Sequence, residues 1–289
     1  MDGKASSLSN PLYLLNEVTA SLLMEFEHRM KYELTRLTPP SLLEPVLYAL
    51  SGGKRIRPLI LLLASSLTGK PSLDPFPAAI TVELLHCASL IHDDIIDREK
   101  SRRGRDPFHV KFGFELGVIG ADLMLALSSS LISRYSGSRL MKAMLEELSR
   151  SAMEMCEGEL LETYLLKSGR IEWRQYLKLI KLKTAPLFRA SAKLGGLIAV
   201  KRARAWPVTQ LAKYGLLVGM AFQIRDDVLD AERGEGEIIR LLGASRLRVL
   251  ERLSRSLADR AKLALSPFRP SPFKSTLLEL ADVAIRRDV

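Results

Sequence analysis

Two clusters of aspartates constrain this chain more than any other feature of its sequence. Each reads Asp-Asp-x-x-Asp, from Asp93 to Asp97 and from Asp226 to Asp230, and each ends a long apolar segment with helical spacing. Residues four apart on a helix lie side by side, so the first and last carboxylates of each cluster repel each other. A hard divalent cation, above all Mg²⁺, relieves that repulsion because it prefers oxygen ligands. The alternative, two solvated helix ends with acidic tips, leaves the matched spacing unexplained.

Helical periodicity recurs along the rest of the chain, whereas no strand-like alternation persists. No low-complexity linker divides the sequence, so we expect residues 1–289 to form one all-α domain, a large helical bundle. The predicted helices cover residues 11–37, 42–50, 59–67, 78–97, 116–135, 140–166, 172–182, 185–200, 207–230, 245–265 and 275–287.

The bulk properties narrow the class of partner and the compartment. A formal net charge of +10 favours anionic ligands, nucleic acid or an acidic membrane surface. Cys87 and Cys156 lie in helical apolar patterns without disulfide or metal spacing, so we expect buried, reduced thiols. No signal peptide is visible, and the apolar stretch 116–132 contains Asp122 and three serines, so we interpret it as a buried helix. We therefore expect a cytoplasmic protein without a transmembrane segment.

Two basic segments accompany the aspartates. The turn 51–58 contains two glycines and three cations before an apolar helix, a composition that suits close approach of a phosphate. The segment 98–105 follows the first aspartate cluster directly and contains five Lys or Arg residues. Alone, the turn 51–58 would be interpreted as an ordinary loop with solvated cations, and the segment 98–105 as a solvated basic face or a nucleic-acid patch. Beside the aspartates they favour metal-bound phosphate, and no nucleic-acid-binding module is recognisable.

These motifs, taken together and in order from about residue 50 to 230, resemble the trans-type polyprenyl diphosphate synthases, above all the geranylgeranyl diphosphate synthases. The matching residues are Gly52-Gly53-Lys54-x-x-Arg57-Pro58, Glu83-Leu84-Leu85-His86, Asp93-Asp94-x-x-Asp97, Arg102-Arg103-Gly104, Lys183-Thr184 and Phe222-Gln223 before Asp226-Asp227-x-x-Asp230. The resemblance implies an isoprenoid-synthase helical bundle with a central active-site cavity. It also implies a homodimer.

The resemblance further implies a chemistry that needs no nucleophilic side chain. An allylic diphosphate ionises, the double bond of isopentenyl diphosphate attacks the carbocation, and loss of a proton leaves a chain five carbons longer. About three Mg²⁺ ions would neutralise the departing diphosphate. The residues that the resemblance assigns to the metals are Asp93, Asp94, Asp97, Asp226, Asp227, Asp230 and Glu162; the catalytic group is Asp93, Asp97, Lys183, Gln223 and Asp226.

Roles for the two substrates follow from the same resemblance. Lys54, Arg57, His86 and Arg103 would bind isopentenyl diphosphate. Arg102 and Lys183 would contact the allylic diphosphate, while Thr184 and Gln223 would line the reacting carbons. A satisfied core histidine is the alternative for His86.

The chain departs from the family pattern at two places. Glu159 and Glu162 stand where a Gln-x-x-Asp pair is usual, although Glu162 is only one methylene longer. After Asp230 the usual Gly-Lys is absent and no lysine occurs before Lys262, so a phosphate-binding cation is missing unless Arg233 or Arg240 replaces it. The guanidinium of arginine is a planar, fork-shaped donor group whereas the ammonium of lysine is a point charge, so the geometry of phosphate binding would differ.

Product length is expected to depend on the helix before the first aspartate cluster. In the family, bulky aromatics four and five residues before the first aspartate stop growth at short products, whereas this chain has Ser89 and Ala88 there. Leu85 and then Val82 and Thr81 follow on that face, a distance of roughly 18 Å back from Asp93. We therefore expect an all-trans product of twenty carbons or more, with geranylgeranyl diphosphate as the default.

Other functional classes remain open at this level. A non-catalytic subunit of a heteromeric prenyl synthase would explain the altered segment after Asp230, but it would not require both aspartate clusters. A terpene cyclase or a head-to-head condensing enzyme would share the fold. A cyclase lacks the second diphosphate site that Lys54, Arg57 and Arg102 indicate.

Overall fold

The computed structural model describes residue 12, residues 15–102 and residues 104–286. The chain divides into two compact units. Unit 1 contains residues up to Leu62 together with Asp74–Met141, and unit 2 contains Leu63–Leu73 and the residues from Lys142 onward.

The described residues are helical and contain no β-strand, which confirms the predicted fold class. In chain order the helices are α1 (Glu17–Leu37), α2 (Pro40–Ala49), α3 (Ile56–Ser66), α4 (Phe76–Ile96), α5 (Phe108–Phe112), α6 (Phe114–Ile132), α7 (Ser138–Ser168), α8 (Trp173–Lys183), α9 (Ala185–Val200), α10 (Trp206–Glu232), α11 (Glu237–Leu242), α12 (Leu247–Ala264) and α13 (Pro272–Arg286).

Local chemistry accounts for the helix boundaries. Asn16 caps α1 by accepting a hydrogen bond from the Thr19 amide at 2.9 Å, and the helix ends before Pro39. The predicted start at residue 11 itself lies outside the described residues, but Leu15 and Asn16 are described and not helical, so the helix begins later than predicted because Asn16 caps it. The short helices α5 and α11 were not predicted, because five or six residues are too few to show a helical period.

The core of unit 1 forms where α4 packs against α6. Every residue from Phe76 to Leu84, the first half of α4, is buried, so this half of the helix has no face toward solvent. On α6, Gly117 and Gly120 allow close packing, since a Cβ atom on Gly120 would lie 2.9 Å from the Phe108 ring. These contacts hold α4, and therefore the first aspartate cluster at its end.

The prediction for the apolar stretch 116–132 is only half correct. Helix α6 buries one side, but Phe114, Val118, Ile119 and Leu125 are exposed. Among the described residues, α6 is the one helix that is long and apolar enough to cross a membrane, and 44% of it is buried. Of the two cysteines, Cys87 is buried as expected whereas Cys156 is exposed.

In unit 2, glycines of α10 and α7 allow close approach to the start of α9 and the end of α8. A Cβ atom on Gly219 of α10 would lie 2.7 Å from the Ala185 Cα atom. A Cβ atom on Gly158 of α7 would lie 2.7 Å from the Lys183 amide nitrogen. Pro186 in the first turn of α9 cannot continue the hydrogen bonding of α8, so the chain breaks at Thr184. The break leaves Lys183 and Thr184 between two helices that are each held by close packing.

A buried carboxylate joins α7 to α9. Glu147 is 1% exposed and accepts hydrogen bonds from Arg189 Nε and Lys193 Nζ, both at 2.6 Å; Arg150 also contacts it. Burial would raise the pKa of Glu147, but the hydrogen bonds from Lys193 and Arg189 outweigh it and lower the pKa. The carboxylate is therefore charged, and three cations satisfy it.

We predict that Glu147→Gln lowers the free energy of unfolding by about 2–3 kcal/mol, because the half-buried Arg189 and Lys193 lose the charge of their buried partner. Glu146→Gln is the matched control, since Glu146 is exposed and pairs only with Lys142 at 3.7 Å; its effect should stay below about 0.5 kcal/mol. Urea unfolding of both variants measures the difference. Equal stability of the two variants would contradict the role assigned to Glu147.

Candidate active site

The first aspartate cluster lies at the C-terminal end of α4, in unit 1. Asp97 is the C-cap, and its amide donates to the Asp93 carbonyl at 2.8 Å. The middle residue, Asp94, is 3% exposed and accepts a hydrogen bond from Arg102 Nε. Arg102 and Arg105 exchange backbone hydrogen bonds of 2.9 and 3.1 Å, which close the turn after the cluster. Asp94 therefore anchors the basic turn to the helix that holds the aspartates.

The glycine-rich turn 51–58 contains one cation with a structural role. Arg55 is buried with a positive φ of 57°, and it donates to Glu83 at 2.6 Å and to Glu27 at 2.7 Å. It also donates to the Leu50 carbonyl. Arg55 is thus turned inward, whereas Lys54 and Arg57, the two residues predicted to bind substrate, are half-buried. The sequence motif gave Arg55 no role, and its structural ion pairs were not predicted.

The positions predicted to control product length lie along α4. Ala88 is 3% exposed, while Ser89 and Leu85 are half-buried. Further back, Thr81 is fully buried and donates to the Pro77 carbonyl at 2.9 Å. The small side chains at 88 and 89 thus occupy the turn of α4 immediately before the aspartates.

The second aspartate cluster lies in the last turns of α10, in unit 2, and a hydrogen-bond chain supports its middle residue. Tyr176 OH donates to Asp227 Oδ2 at 2.7 Å, and Gln223 Nε2 donates to Asp227 Oδ1 at 2.8 Å. The Gln223 carbonyl oxygen in turn accepts a hydrogen bond from Thr184 Oγ1. The chain Thr184–Gln223–Asp227–Tyr176 therefore links the helix break to the aspartate cluster.

Asp227 has an unusual electrostatic environment. Burial raises its pKa to about 6, and the charges of Glu162 and Asp230 act in the same direction. The hydrogen bonds from Tyr176 and Gln223 oppose this rise. Burial also raises the pKa of Asp230, with Glu235 adding to the rise and Arg233 opposing it. The second cluster accordingly holds more negative charge than its protein surroundings neutralise.

Lys183 faces two glutamates of α7 across the contact that Gly158 permits. Its Nζ atom lies 3.2 Å from Glu159 Oε2 and also contacts Glu162. These are the two positions where the sequence departs from the Gln-x-x-Asp pattern. Unit 2 therefore brings together Glu162 and Lys183 in one group, and Thr184, Gln223 and Asp227 in another.

The segment after Asp230 forms the unpredicted helix α11. Arg233 Nη1 lies 4.0 Å from Asp230 Oδ1, and Arg240 is exposed on α11. Of the two arginines considered as replacements for the missing lysine, Arg233 is the one beside the cluster.

The chain matches the family model of polyprenyl synthetases over residues 39–240. The chain belongs to the polyprenyl synthetase family. It is 35% identical to a geranylgeranyl diphosphate synthase of Methanosarcina mazei over 67% of this chain, and the match spans 60% of that relative's length. It is 31% identical to a geranylfarnesyl diphosphate synthase of the same organism over 89% of both chains. A crystal structure of polyprenyl synthase from Caulobacter crescentus, complexed with calcium and isoprenyl diphosphate, superposes with a TM-score of 0.81 at 26% identity, covering 94% of this chain and 96% of that one.

Membership of the polyprenyl synthetase family confirms the family predicted from the sequence, and the helical fold agrees with it. The roles of individual residues remain predictions. Within the part of the chain that the structure describes, no three His, Cys, Asp or Glu side chains converge as a ready-made metal site. Arg103, predicted to bind isopentenyl diphosphate, lies outside the described residues.

Sequence reasoning missed the supporting roles of Tyr176, which donates to Asp227, and of Arg55, which anchors the turn 51–58. Tyr176 lies seven residues before Lys183, and nothing in that spacing indicates a hydrogen bond to an aspartate more than fifty positions away. Arg55 occupies an unspecified position of the Gly-Gly-Lys-x-x-Arg-Pro motif, and nothing in the sequence indicates its ion pairs with the buried Glu83 and the half-exposed Glu27.

We predict that Tyr176→Phe lowers the free energy of unfolding by about 1.5–3 kcal/mol at pH 8, because a partly buried carboxylate loses a donor. The native pKa of Asp227 lies above its usual value, so its contribution to stability falls as pH rises from 3.8 through about 6. The loss should therefore be smaller at pH 5, where Asp227 is largely protonated.

Tyr214→Phe is the matched control for this experiment. Tyr214 is fully buried and donates to the Leu277 carbonyl at 2.6 Å, a partner that carries no charge. Its loss should be the same at pH 5 and pH 8 in chemical unfolding. A loss for Tyr176→Phe that is equally independent of pH would show that Asp227 is not the group concerned.

Proposed function

We propose that the protein is a Mg²⁺-dependent prenyltransferase that condenses isopentenyl diphosphate with an allylic diphosphate into an all-trans product of twenty carbons or more. The observation that carries the proposal is the pair of aspartate clusters at helix ends, each with a middle aspartate held by protein groups. Two sets of carboxylates at such places are costly in a fold unless cations and phosphate oxygens bind there. The printed names of the relatives support the same reaction class.

The donor set fits the metal. Mg²⁺ commonly takes one or two carboxylates and completes its shell with water and substrate phosphate. Asp93 and Asp97 on α4, with Asp226 and Asp230 on α10, are hard oxygen donors of this kind, and Glu162 adds a fifth. The bound ions would supply neutralisation of the charge that builds up on the departing diphosphate.

The middle aspartates have a supporting role in this proposal. Asp94 holds Arg102 in the turn that follows α4, so that its guanidinium stays near the first cluster. Asp227 accepts a hydrogen bond from Gln223 Nε2, and Thr184 donates one to Gln223 Oε1, so that both ends of the Gln223 amide are fixed. Both aspartates were predicted as metal ligands; their protein partners favour positioning instead.

The basic residues divide between the two substrates. Lys54, Arg57, His86 and Arg103 bind the diphosphate of isopentenyl diphosphate, while Arg102 and Lys183 bind that of the allylic substrate. Lys183 then exchanges its glutamate partners for phosphate oxygens. Arg233 supplies the positive charge that lysine supplies elsewhere in the family, since it lies beside Asp230. The proton of the condensation step passes to released diphosphate, so the protein needs no general base.

Two further expectations complete the proposal. The exposed apolar residues of α6 share a side of the helix by their spacing, which supports a homodimer through that face. Light scattering of the purified chain would test this, and a monomer mass at micromolar concentration would refute it.

We also place the protein in the cytoplasm, where both diphosphate substrates are water-soluble.

We predict that the purified protein extends allylic primers when given Mg²⁺ and labelled isopentenyl diphosphate, with products sized by chromatography. Asp93→Ala and Asp226→Ala should each reduce the rate at least a hundredfold, since removing one electrostatic contact to developing charge costs roughly 10²–10³. Asp259→Ala on α12, an exposed aspartate outside the clusters, is the control and should keep full activity. Absence of extension with every primer, from a folded protein, would favour a partner subunit or a cyclase.

We predict that Ala88→Phe shortens the product, because the aromatic ring would fill the turn before the first cluster. Ala79→Ser, more than two turns earlier on the same helix, tests whether any change in α4 has this effect. The product distribution of each variant is measured with the same primer. An unchanged chain length for Ala88→Phe would exclude this face of α4 as the limit on growth.

A further inference from the structure

Unit 2 has a groove far from the second aspartate cluster. Trp206, the first residue of α10, lines the groove, and Asp226 lies roughly 30 Å further along that helix at 1.5 Å per residue. The groove has a volume of about 830 Å³, and residues 66–71 and the loop between α12 and α13 form its other walls. The chemistry proposed above makes no use of this end of the unit.

The groove combines aromatic side chains with one unusually exposed tryptophan. Trp206 is 53% exposed, and its ring packs against that of Phe268, with the centroids 5.0 Å apart. Phe268 is buried, and Leu67 and Phe273 continue the apolar lining. A tryptophan in this position has an apolar body with a polar N–H tip, the combination enriched where a protein meets the headgroup level of a membrane.

Five basic residues lie near the tryptophan, three along the chain and two in the lining of the groove. Lys201 ends α9 in a left-handed conformation with φ of 54°, and Arg202 and Arg204 follow it in the exposed loop that leads to Trp206. Lys70 and Arg269 line the groove itself. The segments 66–73, 201–206 and 265–273 contain these five cations and no Asp or Glu.

Hydrogen bonds hold two of the three segments in place. Ser72 Oγ donates to the Ile198 carbonyl at 2.8 Å, which fastens the first segment to the end of α9. Lys274 Nζ donates to the carbonyls of Ser266 and Phe268, at 3.2 and 2.6 Å, and so stabilises the loop before α13. The cations and the tryptophan therefore belong to a shaped surface and not to loose tails.

We propose that these residues, Lys70, Lys201, Arg202, Arg204, Trp206 and Arg269, form a basic-aromatic rim that docks unit 2 on an anionic lipid surface. All five cations are exposed and lie on three separate loops, an arrangement that suits a layer of headgroups better than one enclosed phosphate. The exposed tryptophan adds insertion at the headgroup level, which a nucleic acid would not need. The biological purpose rests on the proposed function, since a prenyl diphosphate of twenty carbons or more partitions into membranes.

The test uses the full-length protein and sedimentation with vesicles. Vesicles of equal parts phosphatidylcholine and phosphatidylglycerol are compared with vesicles of phosphatidylcholine alone. Each basic residue near an anionic surface contributes roughly a fivefold gain in binding, so the triple variant Lys201→Gln/Arg202→Gln/Arg204→Gln should bind the anionic vesicles roughly a hundredfold more weakly. The triple variant Arg248→Gln/Arg252→Gln/Arg255→Gln removes the same charge from exposed positions on α12 and should bind as the unchanged protein does.

Fluorescence and catalysis separate the docking proposal from the proposed function. Anionic vesicles should shift the tryptophan emission to the blue, and Trp206→Phe should abolish the shift. Both triple variants should extend allylic primers at the unchanged rate in vesicle-free buffer, and vesicle binding is measurable even in a protein without activity.

Three results would overturn the docking proposal. Equal losses in the two triple variants would show that only net charge matters. Equal binding to the anionic and the neutral vesicles would exclude the headgroup charge as the feature that is recognised. Binding of homopolymeric RNA as strong as that of anionic vesicles, without an emission shift, would point to a polyanion in place of a membrane.

Discussion

Repulsion among carboxylates at the ends of two helices is the constraint on which the rest of the structure depends. The C-terminal end of a helix already has partial negative charge, so three aspartates in its last turns raise the free energy further. Each cluster therefore needs compensation from elsewhere in the fold. In unit 1, Arg102 supplies a charge to Asp94; in unit 2, Tyr176 and Gln223 supply hydrogen bonds to Asp227.

The ion pair at Asp94 and the hydrogen bonds at Asp227 have different consequences. The ion pair between Asp94 and Arg102 ties the turn after the first cluster to α4. Burial raises the pKa of Asp227 to about 6, with Glu162 and Asp230 adding to the rise, and the hydrogen bonds from Tyr176 and Gln223 offset it only in part. The same logic extends outward, because Glu147 with its three cations holds α7 against α9, and Gly158 lets Lys183 reach the glutamates of α7.

The fold and the family could be predicted from the sequence because they depend on local patterns. Helical periodicity predicted all the longer helices, and motifs with fixed spacing indicated the family. The predictions failed where an outcome depends on packing. Helix α6 was expected to be buried, yet one side is exposed, and Cys156 is exposed rather than buried. Neither result can be obtained from the composition of a single segment, because exposure depends on which neighbours are present.

By itself the sequence determined the residue types and their spacing: two Asp-Asp-x-x-Asp clusters, the cations beside them, and small side chains at Ala88 and Ser89. Tertiary structure decided which of several equivalent groups are structural. It turned Arg55 inward between Glu27 and Glu83, brought Tyr176 to Asp227, and placed Glu162 beside Lys183. The physical reason is that a hydrogen bond or ion pair acts over about 3 Å in space, whatever the separation along the chain. Spacing therefore shows which chemistry is available, and packing selects the residues that support it.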